Sequence, residues 1–201
     1  MRSPCACLLT LLTLAACARP EAPAAPPRAE HAPREQEPEE LPFRVLSPRE
    51  IVPPFRVRAV DGTLLDSNAL IGKQAFVVVF FATWCDVCDL KLPVLHAAVA
   101  ESATPTPLIG VAVDDRQTWP EVASFLRRHQ IAYPTVRADE YPRFALAYGP
   151  MQTVPAVAIV GKHGYLVDYQ VGYGQSHAAR VRRALALAHG QSADTPPTMD
   201  D

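Results

Sequence analysis

The chain has 201 residues, 49% of them hydrophobic, and its 19 basic and 21 acidic side chains leave a formal net charge of −2. Such a composition supports one medium domain with tails and a core of real size. No long block of one sign occurs, which excludes the clustered basic surface that a nucleic-acid partner demands.

The chain starts "MRSPCACLLTLLTLAAC": one basic residue, Arg2, an apolar segment from Leu8 to Ala16, then Cys17. The apolar segment is too short to span a bilayer, and its order is that of an export signal. "LAAC", Leu14 to Cys17, resembles the lipobox of bacterial lipoproteins. That resemblance implies removal of residues 1–16, lipidation of Cys17 and anchoring by several acyl chains on the periplasmic face of a bacterial membrane. Ala18 carries no inner-membrane retention signal, so inner and outer membranes both stay open. Cys5 and Cys7 would leave with the signal, and only Cys85 and Cys88 of the five cysteines would remain as thiols, in an oxidising compartment.

Residues 17–47 are rich in Pro, Ala and Glu and poor in aromatics, a composition that cannot offset chain entropy. They read as a disordered tether reaching on the order of 30 Å as a coil and up to ~90 Å if mostly polyproline-like. His31, within it, reads as inert. The folded domain is expected over 48–190 and a frayed tail over 191–201.

"FRVRAV" (Phe55 to Val60) and "LLD" predict two short strands around a turn at Gly62. "AFVVVFFA", Ala75 to Ala82, is apolar without alternation, the mark of a strand covered on both faces. A helix follows Cys85 to about Glu101, with Leu92, Leu95 and Val99 on one face and a kink expected at Pro93. "LIGVAVD" (Leu108 to Asp114) is a second buried strand. Thr118 and Glu121 form a capping-box pattern for a helix ending near His129. "YPTVRA" is short and extended, and "YPRFALAYG" is a brief helix stopped by Gly149. "AVAIV" and "YLVDYQV" flank "GKHG", Gly161 to Gly164, as a hairpin. Ser176 is placed to cap a last helix ending at Gly190. This order predicts an α/β fold with a mixed central sheet flanked by helices.

The chemistry concentrates in "FFATWCDVC", Phe80 to Cys88. A cysteine at a strand-to-helix junction aims its sulfur at unpaired amides and the positive helix end, which favours thiolate. A second cysteine three residues on lies one turn along. In a redox couple Cys85 is then the exposed nucleophile and Cys88 the buried resolving thiol. Three rivals share the spacing. A structural zinc site wants four ligands, and no second cysteine pair exists in the mature chain. A copper(I) carrier needs only two thiolates, with His96 as a candidate third ligand that helical spacing puts about three turns from Cys85. A purely structural disulfide closes too small a loop to stabilise much.

"FFATWCDVC", together with "PPFRVRAVDGTLL", "LIGKQAFVVVFFATWC" and "TVPAVAIVGKHG", resembles the thioredoxin-like superfamily. The similarity is to its TlpA/ResA branch of membrane-tethered periplasmic thiol-disulfide proteins, over most of Pro53 to Gly174. It implies a thioredoxin fold with an N-terminal β-hairpin and a central helix-containing insertion, for which the 70 positions between Cys85 and Pro155 leave room. It implies that Pro155 is a cis-proline facing the cysteines. Val154 before it would offer its backbone to a substrate strand, and Trp84 would shield the pair, in place of a plain core aromatic.

The resemblance further implies an enzyme with no cofactor beyond the Cys85 and Cys88 disulfide and no metal. It would act on protein dithiols and disulfides, such as the CxxCH segment of apocytochromes c, and be kept reduced by a membrane-embedded thiol reductant. A monomer is expected. A non-catalytic binding module on the same fold is the other reading. A peroxidase wants threonine three residues before its cysteine, and Ala82 stands there.

Three positions depart from the branch. Asp86 and Val87 replace the two prolines often found between the cysteines, and Lys91 stands where the ResA-like proteins carry a glutamate thought to assist proton movement. That role is not carried over to Lys91. Asp89 is a candidate substitute, although both aspartates also simply complement the helix dipole. Their charge is expected to oppose a thiolate at Cys85 and make the couple more reducing.

Overall fold

The computed structural model describes residues 47, 49–149, 153–172, 174 and 176–190. The expected signal 1–16, the lipidation site Cys17, nearly all of the tether with His31, and the tail 191–201 lie outside the described residues. Among the described residues no helix is long and apolar enough to cross a membrane.

Among the described residues the strands and α-helices run in the predicted order, with a short 3-10 turn (Ser67–Ala69) after the second strand: β1 (Arg56–Arg58), β2 (Leu64–Asp66), β3 (Phe76–Phe81), α1 (Asp86–Ala100), β4 (Leu108–Ala112), α2 (Trp119–Arg128), β5 (Thr135–Arg137), α3 (Pro142–Tyr148), β6 (Ala156–Val160), β7 (Leu166–Val171) and α4 (His177–His189). β1 and β2 pair as an antiparallel hairpin, with Gly62 at φ +89° in its turn.

The fold is organised by β3, whose six residues are all buried. Successive side chains on a strand point to opposite faces, so Val77, Val79 and Phe81 enter one core while Phe76, Val78 and Phe80 enter a second. A strand clothed on both sides has no reason to alternate in polarity, which explains its sequence. It lies at the centre of a five-stranded sheet of order β5-β4-β3-β6-β7. β4 is parallel to β3 and β5 parallel to β4, each joined through a crossover helix, whereas β6 and β7 are antiparallel.

On one face α1 and α4 pack through Leu92, Leu95, Val99, Val181 and Leu185, with Phe125 of α2 stacked on Phe81 at 5.2 Å between ring centroids. The other face is covered by the N-terminal segment and α3. Phe55 meets Phe144 at 4.9 Å and Tyr148 at 5.7 Å, and the Tyr148 hydroxyl donates to the Pro53 carbonyl (3.1 Å). The central insertion is therefore β5 and α3, an edge strand and a helix on the face away from α1 and α4.

Local punctuation differs from the reading of the sequence in three places. Thr118 does not form a capping box. It is helical (φ −90°, ψ −16°), so its hydroxyl is not turned towards the first-turn amides, and it makes no side-chain cap. Asp115 takes over, its Oδ1 accepting from the amides of Gln117 (2.8 Å) and Thr118 (3.0 Å). Ser176, at φ −82° and ψ −2°, fails to cap α4 for the same reason. Gly149 does follow α3, but its φ of 172° is open to any residue. Size dictates glycine there, since a Cβ would sit 2.8 Å from the Tyr169 hydroxyl and 3.0 Å from Phe80. α1 continues through Pro93 as one helix.

Candidate active site

The end of β3 delivers the chain through Ala82, Thr83 and Trp84 to Cys85, which is the N-cap of α1. Cys85 is extended (φ −97°, ψ 95°), and its Sγ accepts from the Cys88 amide at 3.2 Å. The sulfur thus takes the place of a capping oxygen at the positive end of a 15-residue helix. Cys85 and Cys88 form a disulfide with Cα atoms 5.3 Å apart, inside the normal range for a bridge.

Cys88 is wholly buried and Cys85 is only 7% exposed. The expected exposed nucleophile is therefore largely covered, its side chain counted into the core on the α1 face of the sheet. The expected order holds: of the two sulfur-bearing residues, Cys85 alone reaches solvent.

One residue that anchors this loop escaped the sequence reading. Asp114, 1% exposed just beyond β4, accepts from the Thr83 amide with both carboxylate oxygens (3.2 Å each) and from the Thr83 hydroxyl with Oδ1. Because β3 and β4 are parallel, their C-terminal ends lie side by side, and Asp114 reaches the loop two residues before Cys85. The signal was present in "VAVDD", an acidic residue at the carboxyl end of a buried parallel strand, where α/β sheets place their sites.

The same end of the sheet holds Pro155. The Val154–Pro155 peptide bond is cis, and β6 pairs antiparallel with β3 so that Ala156 lies opposite Phe80. Pro155 and Val154 therefore sit level with the end of β3 that leads to Cys85. Pro155 is buried and Val154 half-buried. Trp84 is 55% exposed, which excludes the core-aromatic alternative.

The other named residues separate around α1. Asp86, in its first turn, is exposed. Asp89 accepts from His129 Nε2 at 2.7 Å and lies 3.8 Å from the Arg128 guanidinium, both at the end of α2. Its charge is thus faced by α2, and the expected equal action of two aspartates on Cys85 becomes unequal. Lys91 is half-buried on the opposite flank, beside His177 at the start of α4. His177 feels the charges of a neighbouring polar group in which the exposed Arg180 holds the buried Asp168 by two hydrogen bonds and the buried Gln170 donates to Asp168. Burial pushes the His177 imidazole down to about 4 against the opposing pull of Asp168, with Arg180 and Lys91 adding to the drop. His96 is bonded to the Tyr133 hydroxyl (3.0 Å), and burial and then the nearby His129 lower its pKa. Among the described residues no three His, Cys, Asp or Glu side chains are grouped to hold a metal ion.

The family model that matches this chain is Redoxin, over residues 48–185, a span that begins before β1 and ends within α4. The chain belongs to the Redoxin family. No curated protein matches it. Among solved structures it is similar to a thiol:disulfide interchange protein of the thioredoxin family from Chlorobium tepidum TLS (25% identity, 72% of this chain and 99% of that one, TM-score 0.57). It is also similar to a putative thiol:disulfide interchange protein DsbE from Chlorobium tepidum (17%, 71% and 98%, TM-score 0.58). A third is a secreted Mycobacterium tuberculosis disulfide oxidoreductase homologous to E. coli DsbE (19%, 66% and 94%, TM-score 0.52). Fold and family make this Redoxin-family chain a thioredoxin-like protein. With the disulfide at the helix tip, they make it a thiol-disulfide oxidoreductase.

Proposed function

We propose that the chain is an exported, lipid-anchored reductant of protein disulfides, working in the periplasm and recharged by a membrane-embedded thiol reductant. The observation that carries the reading is the asymmetry of the pair: Cys85 caps α1 and reaches solvent, whereas Cys88 is sealed behind it. A thiolate at Cys85 gains the Cys88 amide and the helix dipole as stabilisers. It attacks one sulfur of a substrate disulfide, forming a mixed disulfide and expelling the other substrate sulfur as a thiolate, which takes up a proton. Cys88, after losing its proton, attacks Cys85 Sγ, restoring the internal disulfide and releasing the second substrate thiolate. Two electrons pass to the substrate, and an external dithiol returns two to the pair.

Anchoring rests on Cys17 at the end of "LTLAAC", and export agrees with the secreted neighbour. Substrates include the CxxCH segment of apocytochromes c, as the TlpA/ResA resemblance implies. Val154, beside Pro155 at the site end of the sheet, offers its backbone to a substrate strand. Trp84, exposed and next to Cys85 in the chain, shields the pair, and the charges of Asp86, Asp89 and Lys91 modulate the couple.

Insulin reduction driven by dithiothreitol tests the chemistry. The parent accelerates precipitation and Cys85→Ser abolishes the acceleration. Equal rates in the two proteins refute the reading.

A further inference from the structure

The outward face of α1 is unlike that of any other long helix in the domain. Its exposed positions are Asp86, Val87, Asp89, Leu90, Pro93, Val94, Ala97 and Ala100, so beyond Asp89 every one is apolar. Leu90 is 71% exposed, Val87 47% and Val94 41%. Val87, Leu90, Val94 and Ala97 follow the i, i+3, i+7, i+10 spacing of a single stripe. By contrast, α2 exposes Glu121, Ser124, Arg127 and Arg128 beside Pro120 and Ala123, and α4 exposes Arg180, Arg182 and Arg183 beside Ala179 and Ala186, so neither exposes a large apolar side chain. A helix whose outer side is apolar as well as its inner side is normally covered on both, and the inner side of α1 already packs through Leu92, Leu95 and Val99.

We propose that this stripe seats an amphipathic helix of the protein with which the disulfide exchanges electrons, a helix that adjoins that partner's own cysteine pair. The proposal rests on the reading of the chain as a thiol-disulfide oxidoreductase and names the kind of partner its site takes. Three observations select this occupant. First, the stripe is continuous with the reactive end, since Trp84 and Val87 flank Cys85 and Val87 begins the run. A partner close enough to react with Cys85, a residue only 7% exposed, already lies over the first turn of α1. Second, a helix surface offers no free backbone edge. An extended segment laid along it would bury unpaired amides and carbonyls, whereas a helix satisfies its own. The stripe, in a 15-residue helix about 22 Å long, is matched by three to four turns of a partner helix. Third, Asp86 and Asp89 stand at its head, Lys91 is half-buried, and the arginines at its two ends are paired with carboxylates, Arg128 with Asp89 and Arg182 with Glu101, so its flanking charges balance, unlike the basic rim with which helices lie on anionic lipid.

Two peptides of identical composition test this. Each carries a CxxC disulfide followed by a helical segment, one with its apolar residues at i, i+3, i+4 and i+7 and the other with the same residues scrambled. Turnover with dithiothreitol is measured for the full chain and for Leu90→Gln/Val94→Gln, with 2-hydroxyethyl disulfide as a small substrate that touches no helix face. Serine versions of both peptides, fluorescently labelled, report binding without chemistry by anisotropy. The parent is expected to favour the striped peptide about tenfold in kcat/KM, through KM, and in affinity. The double variant is expected to lose that preference while its rate on the small disulfide stays unchanged. Equal treatment of the two peptides by the parent, or a preference that survives in the variant, overturns the docking face. So does a parent that self-associates, or that binds anionic vesicles, through these two side chains. If no disulfide is turned over but the serine peptides are still told apart, the docking face stands and the redox reading falls.

Discussion

Asp114 holds Thr83 by its amide and its hydroxyl together, 31 positions away in the chain and two residues before the reactive sulfur. The loop that presents Cys85 is thus pinned to the end of the neighbouring parallel strand. Hydrogen bonds to a buried charged group are worth about 1.5–3 kcal/mol. Thr83→Val should therefore lower the unfolding free energy by about that much in urea titration, and Thr83→Ser should restore most of it. A Thr83→Val midpoint equal to the parent's would show that the hydroxyl contact does not matter.

The two aspartates of the first turn should not act alike on the couple. Asp86 is exposed and forms no ion pair among the described residues, while Asp89 faces His129 and Arg128. Asp86→Asn is expected to move the reduction potential to a less negative value in glutathione equilibration, because a nearby anion disfavours the thiolate. Asp89→Asn should move it less, and added salt should shrink the Asp86 effect. A larger response at Asp89, or a shift to more negative potential, contradicts this.

Acid should weaken the domain partly through His177. Its folded-state pKa is depressed from 6.5 to about 4 by burial, with Asp168 opposing and Arg180 and Lys91 assisting. The folded state therefore binds fewer protons than the unfolded chain between those values. The stability that this contributes is complete above about pH 6.5 and is lost as pH falls through about 4, amounting to at most about 3 kcal/mol. His96 and His189, also lowered by burial, slope the same way. His177→Gln should flatten part of the loss of stability measured between pH 6.5 and 4, and an unchanged slope would remove His177 from the account.

Gly149→Ala should cost about 1–3 kcal/mol, because the new Cβ meets the Tyr169 hydroxyl and ring and Phe80. Tyr169→Phe deletes the nearest of those atoms and should recover part of the loss in the double variant. Chemical denaturation of the four proteins closes the cycle, and additivity would argue against the contact.

Much of this was legible in the chain because it is written locally. The unbroken apolar run of β3, the helix after Cys85, the glycine-framed hairpin after β6 and the cysteine spacing each lie within one short window. Pro155 was legible only through resemblance, since nothing local distinguishes a cis from a trans proline. The ties Thr83–Asp114 and Asp89–His129 join residues 31 and 40 positions apart, so they depend on sheet register and helix packing that no window contains. Thr118 and Ser176 misled for a further reason: residue type gives a capping side chain, but backbone angles decide whether it points at the amides.

The division of labour between the two sulfurs is tested most directly by trapping. Each single serine variant, reduced and mixed with a disulfide-containing peptide, is read by intact mass and peptide mapping. Cys88→Ser should accumulate a mixed disulfide on Cys85, and Cys85→Ser should form almost none, since Cys88 is buried. An adduct on Cys88 appearing as fast in Cys85→Ser as that on Cys85 in Cys88→Ser would contradict the account.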